Sequence, residues 1–291
     1  MPSTPSAVPF SRVAILGTGL IGGSFGLALR KHFPDISIVG YDRAEILQAA
    51  LARGAMQETE PDLAQAVRGA DLVYVALPIG ATIEALPAIA AAAKDGALIT
   101  DTGSTKAAIC RAAKGALVGS ARFLGGHPMA GKETSGIARG DAELFSGARY
   151  ALIGLEADRD PRVQGFASLV RALGAEPVWC DADTHDWAVG IVSHLPQLLA
   201  VALARVVVDE TDETGLPLSL AGPGLQDMLR LAGSPYGLWR DVAHTNTDNI
   251  ARALDRLEQA VEYLRTRLTS KELEQEFLAA NELYMQLKKM Q

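Results

Sequence analysis

Short apolar runs alternate with longer amphipathic stretches through the first 180 residues or so of the chain. "RVAILG" at 12–17 is continuously apolar and ends in glycine, the pattern of a strand buried on both faces. A helical stretch follows to about His32. "ISIVGYD" at 36–42, "ADLVYVALP" at 70–78 and "GALITDTGS" at 96–104 repeat the strand pattern. "AEILQAALARG" is a helix closed by Gly54, and an Ala-rich helix runs to Ala93 with Pro87 predicting a kink in it. "RFLGGHP", "RYALIGL" and "EPVWCD" are further strands. Strands joined by helical crossovers predict an α/β fold, a parallel sheet with helices on both faces.

After Asp181 the alternation stops. One long helix is predicted over 184–209 with Pro196 inside it, followed by a Gly/Pro loop, "TGLPLSLAGPG". Ile250, Leu254, Leu257, Val261, Leu264 and Leu268 recur at spacings of four and three, an a/d seam. "TSKE" at 269–272 has the form of a capping box that opens a last helix. The second half is therefore all-helical, and its seam packs helices on one another or on a second subunit. The resulting division is a frayed tail over 1–11, an α/β domain over 12–182 and a helical domain over 183–291.

Composition narrows the function. The chain has 291 residues, 48% of them hydrophobic, enough for a real core. The net charge is −7 and no basic run tracks a phosphate backbone, so nucleic acid is not an expected partner. Cys110 and Cys180 are the two cysteines, which suits free thiols in a reducing cytoplasm. "MPSTPSAVPFS" lacks the charged and apolar regions of a signal peptide. The segment 188–208 is long enough to span a bilayer, but His194, Gln197 and Arg205 interrupt it, so a buried helix of a soluble protein is expected rather than a membrane anchor.

"GTGLIG" at 17–22 follows the first strand and opens the first helix. Asp42 lies 20 residues beyond Gly22, at the end of the second strand. That context makes the loop a dinucleotide fingerprint of the Rossmann type. Gly17 permits the tight turn, Gly19 lets backbone approach pyrophosphate, and Gly22 lets helix and strand pack. With Leu20 and Ile21 they open a helix whose amides face the phosphates. Asp42 is expected to accept from ribose hydroxyls and so favour NAD, while Arg43 beside it is the residue type that can hold a 2′-phosphate instead.

In such a sheet the ligand lies beyond the carboxyl ends of the strands. Leu77 and Pro78, "DTGSTK" with Thr102 and Ser104, and "GGHPMAG" with His127 leave the strands there. "GGHPMAGKETSG" at 125–136 reads as an irregular, glycine-flanked segment aimed at the nicotinamide end. A neutral histidine there can take a proton while hydride leaves the same carbon, and an ordinary imidazole, with a pKa of about 6.5, would lose activity below roughly pH 6–7. The plainer alternative is a histidine that closes a loop.

"GTGLIGGS", "DTGSTK", "GGHPMAGKETSG", "HDWAVGIVSHLPQ" and "GPGLQDMLRLAGSPYGLW" resemble, in order, the motifs of the prephenate/arogenate dehydrogenase family of tyrosine biosynthesis, over about residues 12–250. The resemblance implies a Rossmann domain followed by a helical dimerisation domain, a homodimer, NAD as cofactor and a small cyclohexadienyl substrate. It implies that His127 takes the proton of the ring 4-hydroxyl, that Ser104 contacts the same hydroxyl and His127, and that hydride passes from C4 while the ring carboxylate leaves as CO2. Aromatisation drives the reaction, so no metal is implied. Arg230, with Trp239 nine residues on, takes the family's place for holding the carboxylate, with Arg240 in reserve. Ser193, His194 and Gln197 on the long helix are placed to line the substrate pocket, or else are satisfied core polars. Glu133 and Asp227 match acidic positions near the pocket mouth, where solvated carboxylates are the plainer alternative.

Two positions depart from the pattern. Gln197 stands where many prephenate-type members have a second histidine, and Leu229 where a threonine or serine precedes the pocket arginine. Both bear on the choice between prephenate and arogenate. The chain length leaves no place for a mutase or regulatory domain, so one activity is expected. A β-hydroxyacid dehydrogenase or imine reductase is the rival enzyme reading; those carry a lysine on the long helix, and 184–209 has none. A non-catalytic NAD sensor is the rival of another class, and it would not need His127, Ser104 and Arg230 together.

Overall fold

The computed structural model describes residues 8–117, 119–131 and 136–290. Its first half alternates β1 (Arg12–Leu16), α1 (Leu20–His32), β2 (Ser37–Tyr41), α2 (Ala44–Ala52), β3 (Glu58–Thr59), α3 (Leu63–Val67), β4 (Leu72–Val75), α4 (Ile79–Ala92), β5 (Leu98–Asp101), α5 (Ala107–Ala116), β6 (Arg122–Pro128), β7 (Arg149–Ile153), α6 (Pro161–Ala172) and β8 (Glu176–Cys180). The strands form one sheet in the order β3-β2-β1-β4-β5-β6-β7-β8. Side chains alternate faces along β1. Val13 and Ile15 join Phe25, Leu29, Phe166 and Leu169 under α1 and α6, while Ala14 and Leu16 join Val67 and Ile89 under α3 and α4.

The sheet is mixed, which corrects the all-parallel expectation. β6 runs parallel to β5 but antiparallel to β7, with Gly125 opposite Ile153 and His127 opposite Ala151. A parallel return needs a crossover to the far end of the sheet. The 129–148 connection makes none. Residues 136–148 lie over α1 and α2, where Arg53 donates to the carbonyls of Ala138 and Gly140, and the chain re-enters the sheet at the edge it left.

His127 is therefore not on an irregular segment. It is the penultimate residue of a strand, and the glycines before it serve close packing. A Cβ on Gly126 would lie 2.6 Å from the carbonyl oxygen of Asp101 on the neighbouring strand. Of the residues expected to form a tail, those at 8–11 are described and pack on the α/β half. Phe10 is buried in the core, Pro9 packs against Gly165, and the Ser11 backbone N–H donates to Asp71 at 2.7 Å.

The remaining helices are α7 (Ala182–Val189), α8 (Leu195–Asp209), α9 (Leu216–Ser219), α10 (Pro223–Leu229), α11 (Tyr236–Thr245), α12 (Thr247–Arg265) and α13 (Glu272–Lys289). The single helix predicted over 184–209 is interrupted by a π-helical turn at Gly190–His194. Pro196 has no N–H and its ring would collide with the carbonyl four residues back, and the wider turn relieves both. The expected burial of this helix fails within one chain. In α8 Gln197 and Ala200 are buried, while Val201, Val206 and Val208 are 46–64% exposed. The a/d seam behaves alike, buried at Ile250 and exposed at Val261, Leu264 and Leu268. The cap of α13 also differs: the Glu272 N–H donates to Ser270 Oγ at 3.1 Å rather than to Thr269.

A third apolar cluster joins the two halves, with Leu86 of α4, Ile109 of α5 and Val242 of α11. Beside it Asp241 accepts from the Gly80 N–H at the start of α4 at 2.9 Å, and Thr105 and Thr245 share a hydroxyl bond of 2.7 Å.

Candidate active site

The parallel strands β1, β4, β5 and β6 end along one edge of the sheet. At β1 the chain turns through Gly17, whose φ is +90°; a Cβ there would lie 2.4 Å from the Ala76 carbonyl oxygen. A Cβ on Gly22 would lie 1.9 Å from the Gly17 carbonyl oxygen, so helix and strand meet only through glycine. Gly19 differs, since a Cβ there meets nothing within 4 Å. Its bare backbone faces open space at the mouth of α1, where the first-turn amides of Leu20, Ile21 and Gly22 lie at the positive end of the helix dipole. Asp42 is held beside this loop. Its Oδ2 accepts from Thr18 N at 2.7 Å and its Oδ1 from Arg43 N at 2.8 Å. The Arg43 guanidinium is exposed, 3.8 Å from Glu45. Leu77 is half-buried, Pro78 caps α4, and Thr102 N donates to the Val75 carbonyl at 3.0 Å. This cradle fits a dinucleotide.

The motif "DTGSTK" supplies a clamp that the sequence reading did not assign. Lys106 is fully buried, and its Nζ donates to Asp101 and, at 2.7 Å, to the Gly126 carbonyl. Asp101 Oδ1 accepts from Gly126 N at 3.2 Å. The two side chains thus hold both polar atoms of Gly126 and set the backbone from which His127 projects. Burying either charge alone would cost several kcal/mol, so the pair stands or falls together.

His127 itself is buried, and its ring is held from the helical half. Its Nδ1 lies 3.0 Å from Nε2 of His185, and His185 Nδ1 lies 2.8 Å from Asp186 Oδ1. Asp186 also accepts from the N–H groups of Lys106 at 2.6 Å and Ala107 at 2.9 Å, at the N-terminus of α5. Both its oxygens are acceptors, so His185 donates from Nδ1 and in its neutral form offers a lone pair at Nε2. His127 must then donate from Nδ1, which leaves the lone pair on its Nε2. The relay presents that nitrogen as a base. Burial, then His185, Lys106 and His194, hold the His127 pKa well below its ordinary value, so the ring is neutral at pH 7.

His185 and Asp186 were missed in the sequence reading, although they stand in the quoted "HDW". Ser104, on the β5–α5 turn, is half-buried; the hydrogen bond seen at His127 Nδ1 runs to His185. Ser193 is half-buried in the π turn. His194 is buried, its ring 5.8 Å from Trp239 in an edge contact, and burial lowers its pKa to about 4. Gln197 is buried and donates to the Leu231 carbonyl at 2.8 Å, which secures the turn after Arg230. Arg230 and Asp227 are exposed. Arg240 is paired with Asp241. Glu133 lies outside the described residues.

A glycine cradle and a base-presenting histidine on one edge of a Rossmann sheet define a dinucleotide-dependent dehydrogenase. The chain belongs to the prephenate dehydrogenase family. The family's sequence patterns described as "Prephenate dehydrogenase, nucleotide-binding domain" and "Prephenate dehydrogenase, dimerization domain" match residues 25–178 and 181–283. Among relatives, the prephenate dehydrogenase of Lactococcus lactis is 34% identical over 90% of this chain and 72% of its own, and the cyclohexadienyl dehydrogenase of Zymomonas mobilis is 30% identical over 90% of each. Among solved structures, prephenate dehydrogenase from Aquifex aeolicus with hydroxyphenyl propionate and NAD+ superposes with a TM-score of 0.87 at 24% identity, covering 98% of this chain and 100% of that one. Synechocystis arogenate dehydrogenase gives 0.78 at 26%, covering 96% and 99%. The rival class is more remote: a Mycobacterium tuberculosis 3-hydroxyisobutyrate dehydrogenase gives 0.53 at 16%, covering 84% and 93%.

Proposed function

We propose that the protein converts prephenate to 4-hydroxyphenylpyruvate by NAD-dependent oxidative decarboxylation. The observation that carries the reading is the Asp186–His185–His127 relay, which points a neutral imidazole lone pair from the sheet edge that also bears the glycine cradle.

His127 Nε2 takes the proton of the ring 4-hydroxyl. The charge that develops on its imidazole is met by His185 and, behind it, by Asp186, so the base gains strength as the proton arrives although burial weakens it at rest. Ser104 contacts the same hydroxyl. Arg230 holds the ring carboxylate until it leaves as CO2, and the electron pair of the broken bond completes the aromatic ring. Ser193, His194, Gln197 and Trp239 line the substrate side. NAD, when bound, accepts the hydride from C4. Gly17, Gly19, Leu20, Ile21 and Gly22 form its phosphate cradle, Asp42 takes the ribose hydroxyls, and Leu77, Pro78 and Thr102 flank the remainder. The Aquifex structure of the same fold was solved with hydroxyphenyl propionate and NAD+, which supports NAD as the cofactor of this reading.

The working unit is a cytoplasmic homodimer through the helical half. One run, Ala182–Asp209, is long and apolar enough to cross a membrane, and the exposed valines of α8, Leu264 of α12 and Phe277 of α13 are the apolar side chains that a second copy would cover. The test is an assay of prephenate and arogenate, each with NAD and NADP, followed by NADH or NADPH absorbance. Turnover of prephenate with NAD is expected; turnover of arogenate alone would overturn the substrate assignment.

A further inference from the structure

Asn246 closes a hydrogen-bond chain whose polarity can be followed atom by atom. Arg252 only donates, and its Nη2 lies 2.9 Å from Asn249 Oδ1. The other end of that amide, Asn249 Nδ2, therefore donates to Asn246 Oδ1, at 2.8 Å. Asn246 Nδ2 is then the donor end. It lies 2.7 Å from the Asp186 carbonyl, which only accepts, and 3.1 Å from His194 Nδ1. Both of its hydrogens are thus used, and His194 Nδ1 is an acceptor. A neutral imidazole with a lone pair on Nδ1 carries its hydrogen on Nε2. His194 Nε2 is buried and meets no partner among the described residues, and Trp239 Nε1, on the ring in edge contact with His194, is in the same condition. Two buried N–H groups without acceptors are costly, at a place where the histidine lies within electrostatic reach of His127.

We propose that Asn246 is a positioning residue that locks His194 as an Nε2–H donor, so that His194 and Trp239 present a fixed pair of N–H groups to an acceptor oxygen of the substrate. The donor role rests on the substrate-site reading above; the lock does not. The two histidines then have opposite polarity, and Asp186 sets both. Through its carboxylate and His185 it turns His127 into a base, and through its backbone carbonyl and Asn246 it turns His194 into a donor. An oxygen acceptor is bound beside one ring while a hydroxyl gives up its proton to the other. Without the lock, His194 could present a lone pair to the same oxygen, which would repel it.

The experiment uses the full-length protein with 15N-labelled histidine. Nitrogen chemical shifts and one- and two-bond couplings report which ring nitrogen of His194 carries hydrogen, with or without NAD, and need no substrate. Wild type is expected to show the Nε2–H form. In N246D the carboxylate demands a donor from Nδ1, and the tautomer is expected to invert. N246A leaves Nδ1 without a partner and is expected to give a mixture, which keeps the test open if N246D folds poorly. In parallel, the KM for prephenate is expected to rise about tenfold in N246D, as loss of one oriented hydrogen bond implies, with a smaller change in kcat. A wild-type Nδ1–H form, a His194 that stays wholly Nε2–H in N246A, or an inverted tautomer with an unchanged KM each overturns the proposal. A wild-type protein with no turnover of prephenate overturns the functional reading and the donor role, while the lock is still read from the spectra.

Discussion

His127 and His185, 58 residues apart in the chain, meet ring to ring, Nδ1 to Nε2 at 3.0 Å, in an edge contact with centroids 5.2 Å apart. One ring stands on a strand of the sheet and the other on the first helix beyond it, so the His127–His185 pair forms only where the two halves dock.

Replacing His127 by asparagine keeps a polar side chain but removes the base. The kcat is expected to fall about 10²–10⁴-fold, while NAD affinity, measured separately by fluorescence, stays near wild type. A kcat within a few-fold of wild type would reduce His127 to a structural residue.

His185→Ala frees the His127 tautomer without touching substrate or cofactor. A drop in kcat on the order of 10²-fold is expected, since an orienting partner decides which nitrogen carries the lone pair. Histidine-resolved nitrogen NMR should show the Nε2–H form of His127 appearing in the variant. Unchanged kcat with an unchanged His127 tautomer would contradict the relay.

The acid limb of activity is displaced from its sequence-based position. An ordinary imidazole places it near pH 6–7, but burial holds the His127 pKa well below 6.5, so kcat/KM should stay level through pH 6 and fall only further down. Stability follows the same sign. Unfolded imidazoles protonate near pH 6.5 while His127 and His194 resist, so the unfolded chain binds more protons and stability declines as pH drops from about 6.5 towards 4. For His194, with its pKa at about 4, that cost is about 3 kcal/mol over the window. Urea midpoints at pH 7 and pH 5 measure it, and equal midpoints would contradict it.

Asp42→Ala is expected to narrow the preference for NAD over NADP, because the carboxylate that opposes a 2′-phosphate is gone. The same change strips Thr18 N of its acceptor, so KM for NAD should rise as well. A wild type that uses both cofactors equally would show that Arg43 governs this turn.

Light scattering at micromolar concentration is expected to return twice the chain mass. Leu268, Phe277 and Leu278, each at least 60% exposed in one chain, are the residues whose replacement by lysine should shift the mass to that of a monomer.

Local order carried much of this protein. The run "RVAILG", the three glycines after it and Asp42 at the end of the next strand are short-range features, and strand burial, turn geometry and ribose contact all act within some 30 residues. The cradle is therefore legible in the amino-acid order alone, as is the placing of His127 at the sheet edge. Its setting is not. Two glycines beside a histidine suggest a loose segment when they stand alone, and only the neighbouring strand, 2.6 Å from the position of a Gly126 Cβ, shows that they are there for close packing. The reversal of β7 depends on where a connection crosses α1 and α2, which no periodicity records. His185, Asp186, Lys106 and Asn246 are polar residues whose partners lie up to 80 positions away. A hydrogen bond has direction and reach but leaves no period in a sequence, so which of these groups donates and which accepts was decided by the tertiary structure alone.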